Sequence, residues 1–526
     1  MKRFVLYVLA AAMVLASAVC AQAATEVRMT GDVLVYGNYF ANRNFTGWNR
    51  ASWIDNAGNV QRAGSRASDE FEIWERFRLR SDFVANEAVK FRFGILVEDT
   101  WGHGTLTAAN PTAGISNGSG LRTSSGVEVY QAYLQFKWPD TDIQITAGLQ
   151  PASMPQSSFF AGSVVFDENV AAALVTAPLI DGKLTLVLGY VRTISSDQTF
   201  GQPVTNTEWG HRNLYASEEA FLLALPVTLD GFKATPWVAY GQGGRDGKYL
   251  YDGGWAEGLV APGFLSYGKA GWKNNYITAM WAGTTLEVSM LDPLKFYADV
   301  IWGRHGMNEF QKNVRDGWFI DAALEYTGFD MVTPQAFGFW STGEDGSVRN
   351  GSERMPNFFP GSGNGGEHNG GTQSWNAGNS FLFDGGQELV KGSNMGINPI
   401  GAYGFGASLN KMSFIEKLSH ILTFAYVHGN NSPRAIRYAN TGGYLYAAST
   451  GHVGDPLFNM GRDLTWNEWA MGLNFDSKYM IYENLAFIVE TGWAHCGPFQ
   501  KSVWGSHLAN EAGDAWKVAF GLKYTF

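Results

Sequence analysis

The stretch FEIWERFRLRSDF, Phe71 to Phe83, alternates with a period of two. Its odd positions read Phe71, Ile73, Glu75, Phe77, Leu79, Ser81, Phe83, and its even positions Glu72, Trp74, Arg76, Arg78, Arg80, Asp82. In Val89 to Val97, the apolar Val89, Phe91, Phe93, Ile95 and Val97 alternate with Lys90, Arg92, Gly94 and Leu96. Successive side chains of a strand point to opposite faces, so these runs, joined by Val84 to Glu87, predict a hairpin with one apolar and one polar face.

The same unit recurs outward along the chain. Strands are predicted near 27–39, 70–83, 88–99, 127–138, 142–150, 170–179, 183–192, 218–228, 232–241, 276–289, 294–303, 316–326, 331–341, 402–411, 418–428, 466–475, 484–494 and 515–526. Most have the length of about 9–11 residues that a tilted membrane-crossing strand needs. Short links with turn chemistry (Pro139-Asp140, Asp181-Gly182, Asp230-Gly231, Asp292-Pro293, Thr327-Gly328) alternate with long Gly-, Asn- and Ser-rich segments, the longest near 342–400. On the apolar faces, Tyr190, Tyr240, Trp302, Tyr426 and Trp493 fall at the loop end, and Phe83, Trp138 and Tyr326 at the turn end. Two aromatic belts around an aliphatic band mark the interfaces of a bilayer. A soluble propeller or sandwich would alternate too, but requires neither the belts nor the strict alternation of connection length. The reading is all-β: a transmembrane antiparallel up-and-down β-barrel of eighteen strands, or sixteen if 170–192 is not a strand pair.

Composition agrees. Aromatics make up 14% of the 526 residues and charged residues only 16%, with 64 glycines. No segment after the first residues approaches the ~20 apolar residues of a spanning helix, so in lipid the backbone has only a closed barrel to satisfy it. Lys2 and Arg3, the apolar stretch Phe4 to Val19 and Ala21-Gln22-Ala23 form a cleavable signal peptide over 1–23, leaving one domain over 24–526. A lipoprotein reading would need Cys20 acylated, but Val19 precedes it where a small residue is wanted. Without Lys2 and Arg3 the chain holds 36 basic against 48 acidic residues, a formal charge of −12, which argues against a nucleic-acid partner. Cys496 is then alone and cannot form an intramolecular bridge, and with His495 it makes a poor zinc pattern. No metal or cofactor is expected. No Ser/His pattern falls on neighbouring strands, which argues against a hydrolase.

The last strand places Trp516, Val518, Phe520, Leu522, Tyr524 and Phe526 on one face. A terminal strand of this kind, ending in phenylalanine, resembles the signature of clients of the β-barrel assembly machinery, with Tyr524 and Phe526 as the signal. With the opening strand VRMTGDVLVYGNYF and the run YLQFKWPDTDIQITAGLQP, the chain resembles the homotrimeric outer-membrane porins of Gram-negative bacteria, closest to those of sulfate-reducing bacteria. That resemblance implies a water-filled channel for passive diffusion of small hydrophilic solutes and ions. It further implies a homotrimer, contacts with outer-membrane lipid and lipopolysaccharide, and a third long loop, near 151–169, folded inward as a constriction. The PEFGG-type motif of general porins is absent from that loop.

If apolar residues face lipid, Arg76, Arg78 and Arg80 form a ladder on the lumen wall. The tight turn at 84–87 then sets Arg80 across from Arg92 and Lys90 close to Asp82. Asp167 and Glu168, in the third long loop, are the candidate acids facing them across a constriction. The bland alternative is a solvated face neutralised by Glu70, Glu72 and Glu98. A saccharide-specific channel would use Trp74, Tyr130 and Tyr297 against sugar rings, although Tyr130 has no clear facing. A structural or adhesive surface barrel would use the 342–400 segment, read as an extracellular loop.

Overall fold

A computed structural model describes residues 25–42, 45, 52–54, 60–62, 69–101, 127–194, 217–244, 273–347, 349–357, 375–383, 387–389, 395–438, 458 and 460–526. The signal-peptide segment 1–23 lies outside them. The strands that build the main sheet are β1 (Glu26–Ala41), β2 (Asp69–Asn86), β3 (Val89–Thr100), β4 (Glu128–Lys137), β5 (Gln144–Ser153), β6 (Asp167–Ile180), β7 (Leu184–Ile194), β8 (Glu218–Ala224 with Val227–Leu229) and β9 (Phe232–Gly244). They continue as β10 (Tyr276–Leu291), β11 (Leu294–His305), β12 (Arg315–Tyr326), β13 (Thr333–Ser341), β14 (Ala402–Ile415), β15 (Leu418–Gly429), β16 (Trp469–Tyr482), β17 (Leu485–Cys496) and β18 (Ala515–Thr525). The two parts of β8 pair with the same neighbours and are separated at Pro226, which has no N–H to give the ladder.

Each strand pairs antiparallel with the next, and β1 pairs with both β2 and β18. The ring is therefore closed at eighteen strands, with no free edge. The weak pair at 170–192 is a true hairpin, with Ala172 opposite Val191, so sixteen is excluded. Gly31 and Phe526 exchange backbone hydrogen bonds (2.9 and 3.1 Å), which seals the seam between the chain's two ends.

The outer surface is the apolar face of the alternation. Phe520 and Leu522 on β18, Phe526 just after it, and Leu473 and Phe475 on β16 are exposed. At the loop end Trp318, Trp340, Tyr403 and Trp516 project outward, and at the turn end Phe83, Trp138, Tyr479 and Tyr482 do. Trp493 packs on Trp516 with ring centroids 6.3 Å apart, and Tyr326 on Phe329 at 4.9 Å. These belts bracket an aliphatic band and suit the ring's amphipathic chemistry.

One expectation about register needs correction. Arg92 stands opposite Asp82, not Arg80, which faces Gly94; Lys90, opposite Val84, is the diagonal neighbour of Asp82 on the same face, as expected. The strands run closer to the turn than the 84–87 link implied, because Asn86 Oδ1 accepts the Ala88 N–H (2.8 Å) and a bulge falls between Val84 and Asn86. Opposite rather than like charges therefore meet. On β4, the ladder skips from Gln131 to Val129, leaving Tyr130 as the bulged residue. An inserted residue inverts the alternation beyond it, which is why that strand reads as mixed.

Two inward segments fill part of the interior. The segment 154–166 turns inward, with Ser157, Phe160, Val164, Val165 and Phe166 buried. Within the span read as a long outward loop at 342–400, residues 375–383 and 387–389 lie inside the barrel, with Trp375, Phe381, Leu382 and Phe383 fully buried. The two segments join where Ala161 and Asn376 exchange backbone hydrogen bonds (3.0 and 2.9 Å). Trp375 stacks on Phe160 (5.7 Å) and meets Phe319, Phe339 and Phe383 edge-on at 5.0–5.6 Å. The wall makes room with Gly472 and Gly492: a Cβ on the first would sit 2.7 Å from Leu382 Cγ, and on the second 2.9 Å from Phe381's ring. Apolar loops of this kind cannot remain in water at low cost, so they are drawn onto the barrel wall.

Candidate functional site

The basic ladder occupies the inner faces of β2 and β3. Arg76, Arg78 and Arg80 alternate with outward Phe77 and Leu79, as period two dictates. Asp32 on β1 stands opposite Arg78 and accepts from its Nε at 2.8 Å, with Arg76 Nη2 at 3.4 Å. Arg92 grips Asp82 through Nε and Nη2, both at 2.6 Å, and its guanidinium lies 5.9 Å from the Tyr133 ring centroid. Arg80 makes neither a hydrogen bond nor an ion pair with the described residues, and its Nε is buried without a partner. The turn-ward half of the ladder thus sets four cations, Arg78, Arg80, Lys90 and Arg92, against two carboxylates, Asp32 and Asp82. The Arg78 and Arg92 side chains keep 29% and 24% of their surface, so lumen water reaches them. Further toward the loop end, Arg76 stands opposite Glu98.

Asp167 and Glu168 are not in a free loop. They open β6, hydrogen-bonded opposite Ser153 and Ala152, and being adjacent on a strand they point to opposite faces. Glu168 shares the face of buried Val170 and Ala172; Asp167 shares that of exposed Ala171 and Ala173.

A different acidic wall was missed in the sequence. Glu287 on β10, Asp299 on β11, and Asp321 and Glu325 on β12 point inward, nine strands around an eighteen-strand ring from the ladder. Asp299 and Asp321 are cross-strand partners, nearly fully buried, and neither forms an ion pair among the described residues. They hold the inward loops instead. The Ser157 N–H and hydroxyl donate to Asp299 (2.9 and 2.6 Å), Gln156 Nε2 donates to both aspartates (2.9 Å each), and Trp375 Nε1 donates to Asp321 (2.9 Å). Glu287 accepts the Ser158 N–H at 2.8 Å. The signal in the sequence was an acid at mid-depth on the inner parity of three consecutive strands.

A third cluster lies toward the turn end of β16–β18. Lys517, fully buried, bonds Glu490 (2.8 Å) and Gln387. Glu388 bridges Lys478 (2.7 Å) and Lys523 (2.9 Å). The backbone N–H groups of Glu388 and Leu389 both donate to Glu490 at 3.0 Å. Asp476 accepts from Asn379 (3.0 Å) and Asn474 (2.8 Å) on Oδ2, while its Oδ1 is bonded to no described side chain.

No family model and no curated protein matches the chain. Among solved structures, the chain is similar to OccAB3 of Acinetobacter baumannii at 11% identity, covering 95% of this chain and 99% of that one, with a TM-score of 0.47. It is similar to the outer membrane protein OprD of Pseudomonas aeruginosa at 12% identity, 96% of both chains and a TM-score of 0.46. It is similar to OpdL of the same organism at 11% identity, 95% and 99% coverage, and a TM-score of 0.47. The closed ring of eighteen strands rests on this chain's own register.

At the loop end the 342–357 segment is tied to the rim by a further buried set. Arg354 bonds Asp463 (2.9 Å) and lies 4.6 Å over the Phe458 ring, and Arg315 donates to the carbonyls of Arg354 and Met355. Burial pushes the Glu344 carboxyl up to about 7, against the pull of the Ser352 hydroxyl, Arg354 and Arg315 and with a further push from Glu353. Glu468, just before β16, is raised by burial too, although the N–H groups of Gln500 and Thr465 and the Trp504 indole donate to it.

Proposed function

We propose that this chain is an outer-membrane porin, a passive channel for small hydrophilic solutes and ions, with no covalent chemistry. The observation that carries the reading is the inversion of a soluble protein: a closed eighteen-strand ring with apolar residues between two aromatic belts outside, and water-reached arginines inside. The inward loops pack against the acidic wall and, through 387–389, against β16–β18 and Leu34 and Tyr36 of β1; the proposed path runs past the turn-ward half of the basic ladder. Arg76, Arg78, Arg80, Lys90 and Arg92 bias that path toward anions, because charges close to a narrow section act within the ~8 Å screening length of physiological salt while distant rim acids do not. The finer likeness to the homotrimeric porins of sulfate-reducing bacteria, residence among outer-membrane lipid and lipopolysaccharide, and delivery by the β-barrel assembly machinery belong to the same proposal.

The test is the reversal potential of the purified protein in planar bilayers under a salt gradient. Replacing Arg76, Arg78 and Arg80 with Ala is expected to move it toward cations, and Glu168→Gln to move it the other way. A purified barrel that conducts no ions overturns the channel. Conduction with a reversal potential unmoved by the triple variant removes the ladder from the narrow section.

A further inference from the structure

Below the inward loops, toward the turn end, a cavity of about 330 Å³ opens between the Phe159–Asn379 side of the loops and the inner faces of β13–β17. It stands at the small end of the range of roughly 300–1,000 Å³ for small-molecule sites. Its ionisable groups and their bonded lysines balance: Asp476, Glu490 and Glu388 are matched by Lys478, Lys517 and Lys523. The rest of its polar lining is neutral and has bonding capacity to spare. Gln335 spends its amide nitrogen on Glu325, and Asn379 spends its own on Asp476, which leaves both amide oxygens without a partner among the described residues. The Asn410 oxygen accepts the Lys411 N–H, and its amide nitrogen bonds no described residue. Neither the Ser419 hydroxyl nor the buried Asp476 Oδ1 is hydrogen-bonded to a described side chain. Phe159, Ile421 and Ile488 supply an apolar surface in the same space.

We propose that this cavity is a binding site for a neutral, polyhydroxylated solute the size of a mono- or disaccharide, taken from the lumen of the channel proposed above. A net-charged ligand such as arginine, glutamate or a phosphate would bring a charge that the balanced set does not complement. A sugar hydroxyl both donates and accepts, which suits two unused carbonyl oxygens, an unused amide N–H, a hydroxyl and a carboxylate oxygen within one cavity. The C–H face of the sugar ring has Phe159 and the two isoleucines to cover it. Lys478 and Glu388 each keep about 36% of their side-chain surface, so the lumen reaches the site.

The inference rests on the channel reading, and the experiment separates the two. Full-length protein in detergent is titrated calorimetrically with glucose, sucrose, arginine and glutamate, and its single-channel current is recorded with and without each. Saturable binding of glucose or sucrose is expected. In Asp476→Asn the amide oxygen can keep the Asn379 and Asn474 bonds while its nitrogen replaces the unpartnered oxygen, and sugar affinity should fall about tenfold or more. Asn410→Ala should weaken it as well. The heat-modifiable mobility of each variant on gels verifies the barrel. Absence of sugar binding, unchanged affinity in both variants, or binding of arginine or glutamate alone overturns the proposal. Sugar binding by a protein that conducts no ions supports the site and overturns the channel.

Discussion

Trp375→Ala separates the loops from the barrel. The indole is fully buried, stacks on Phe160 of the neighbouring inward segment, and meets three wall or loop phenylalanines edge-on. Truncating a buried tryptophan costs about 3–5 kcal/mol. The lost bond from Nε1 adds little, since Asp321 Oδ2 keeps the Gln156 amide. A loss of ~4 kcal/mol lowers the ratio of docked to undocked loop by about a thousandfold. The eighteen ladders that close the ring do not involve Trp375, so the barrel should still fold. Single-channel recording in planar bilayers should then show a larger and noisier conductance, because residues 375–383 no longer hold their place inside. Trp375→Phe keeps much of the packing and gives up the N–H, so it should cost about 1–2 kcal/mol and conduct like the parent. A folded Trp375→Ala barrel with the conductance and noise of the parent would refute the claim that this residue pins the loops.

Three further outcomes follow from particular residues. The Glu344 carboxyl titrates near 7 in the folded protein against an ordinary value of 4.5, so its contribution to docking of 342–357 is full below about 4.5 and is lost as pH rises toward 7, a change of about 3 kcal/mol at most. Hydrogen exchange of that segment, corrected for its intrinsic pH dependence, should show falling protection across that interval, and Glu344→Gln should flatten it; equal slopes would contradict the assignment. Phe526→Asp should reduce assembly in cells far more than Thr525→Asp, because Phe526 lies on the outer apolar face and its backbone seals the seam with Gly31, and equal yields would sink this. Mass measurement in mild detergent is expected to give a trimer, with exposed Ala171 and Ala173 of β6 permitting close approach of a second barrel; monomers alone would overturn it.

The sequence alone determined the barrel. Period-two alternation is local, and a strand with one lipid face and one lumen face must display it residue by residue, so all eighteen strands were legible, within a few positions except at the turn end of β16, which runs to Tyr482 rather than 475. The same alternation assigned Arg76, Arg78, Arg80, Lys90 and Arg92 to the lumen. Tertiary structure decided what depends on offsets and on distant contacts. One bulge beside Asn86 moved the register so that Arg92 meets Asp82, and another at Tyr130 inverted the facing of a strand that reads as mixed. Asp167 and Glu168, adjacent in the chain, were parted by the strand's own geometry. The acids that stand across the ring, Glu287, Asp299, Asp321 and Glu325, gather only because β10, β11 and β12 are neighbours half a circumference from the ladder. Trp375, Phe381, Leu382 and Phe383 sit in a stretch rich in Gly and Asn, which reads as an outward loop. Only the closed barrel supplies the wall, with Gly472 and Gly492 cleared to receive them, that makes burying those rings cheaper than leaving them in water.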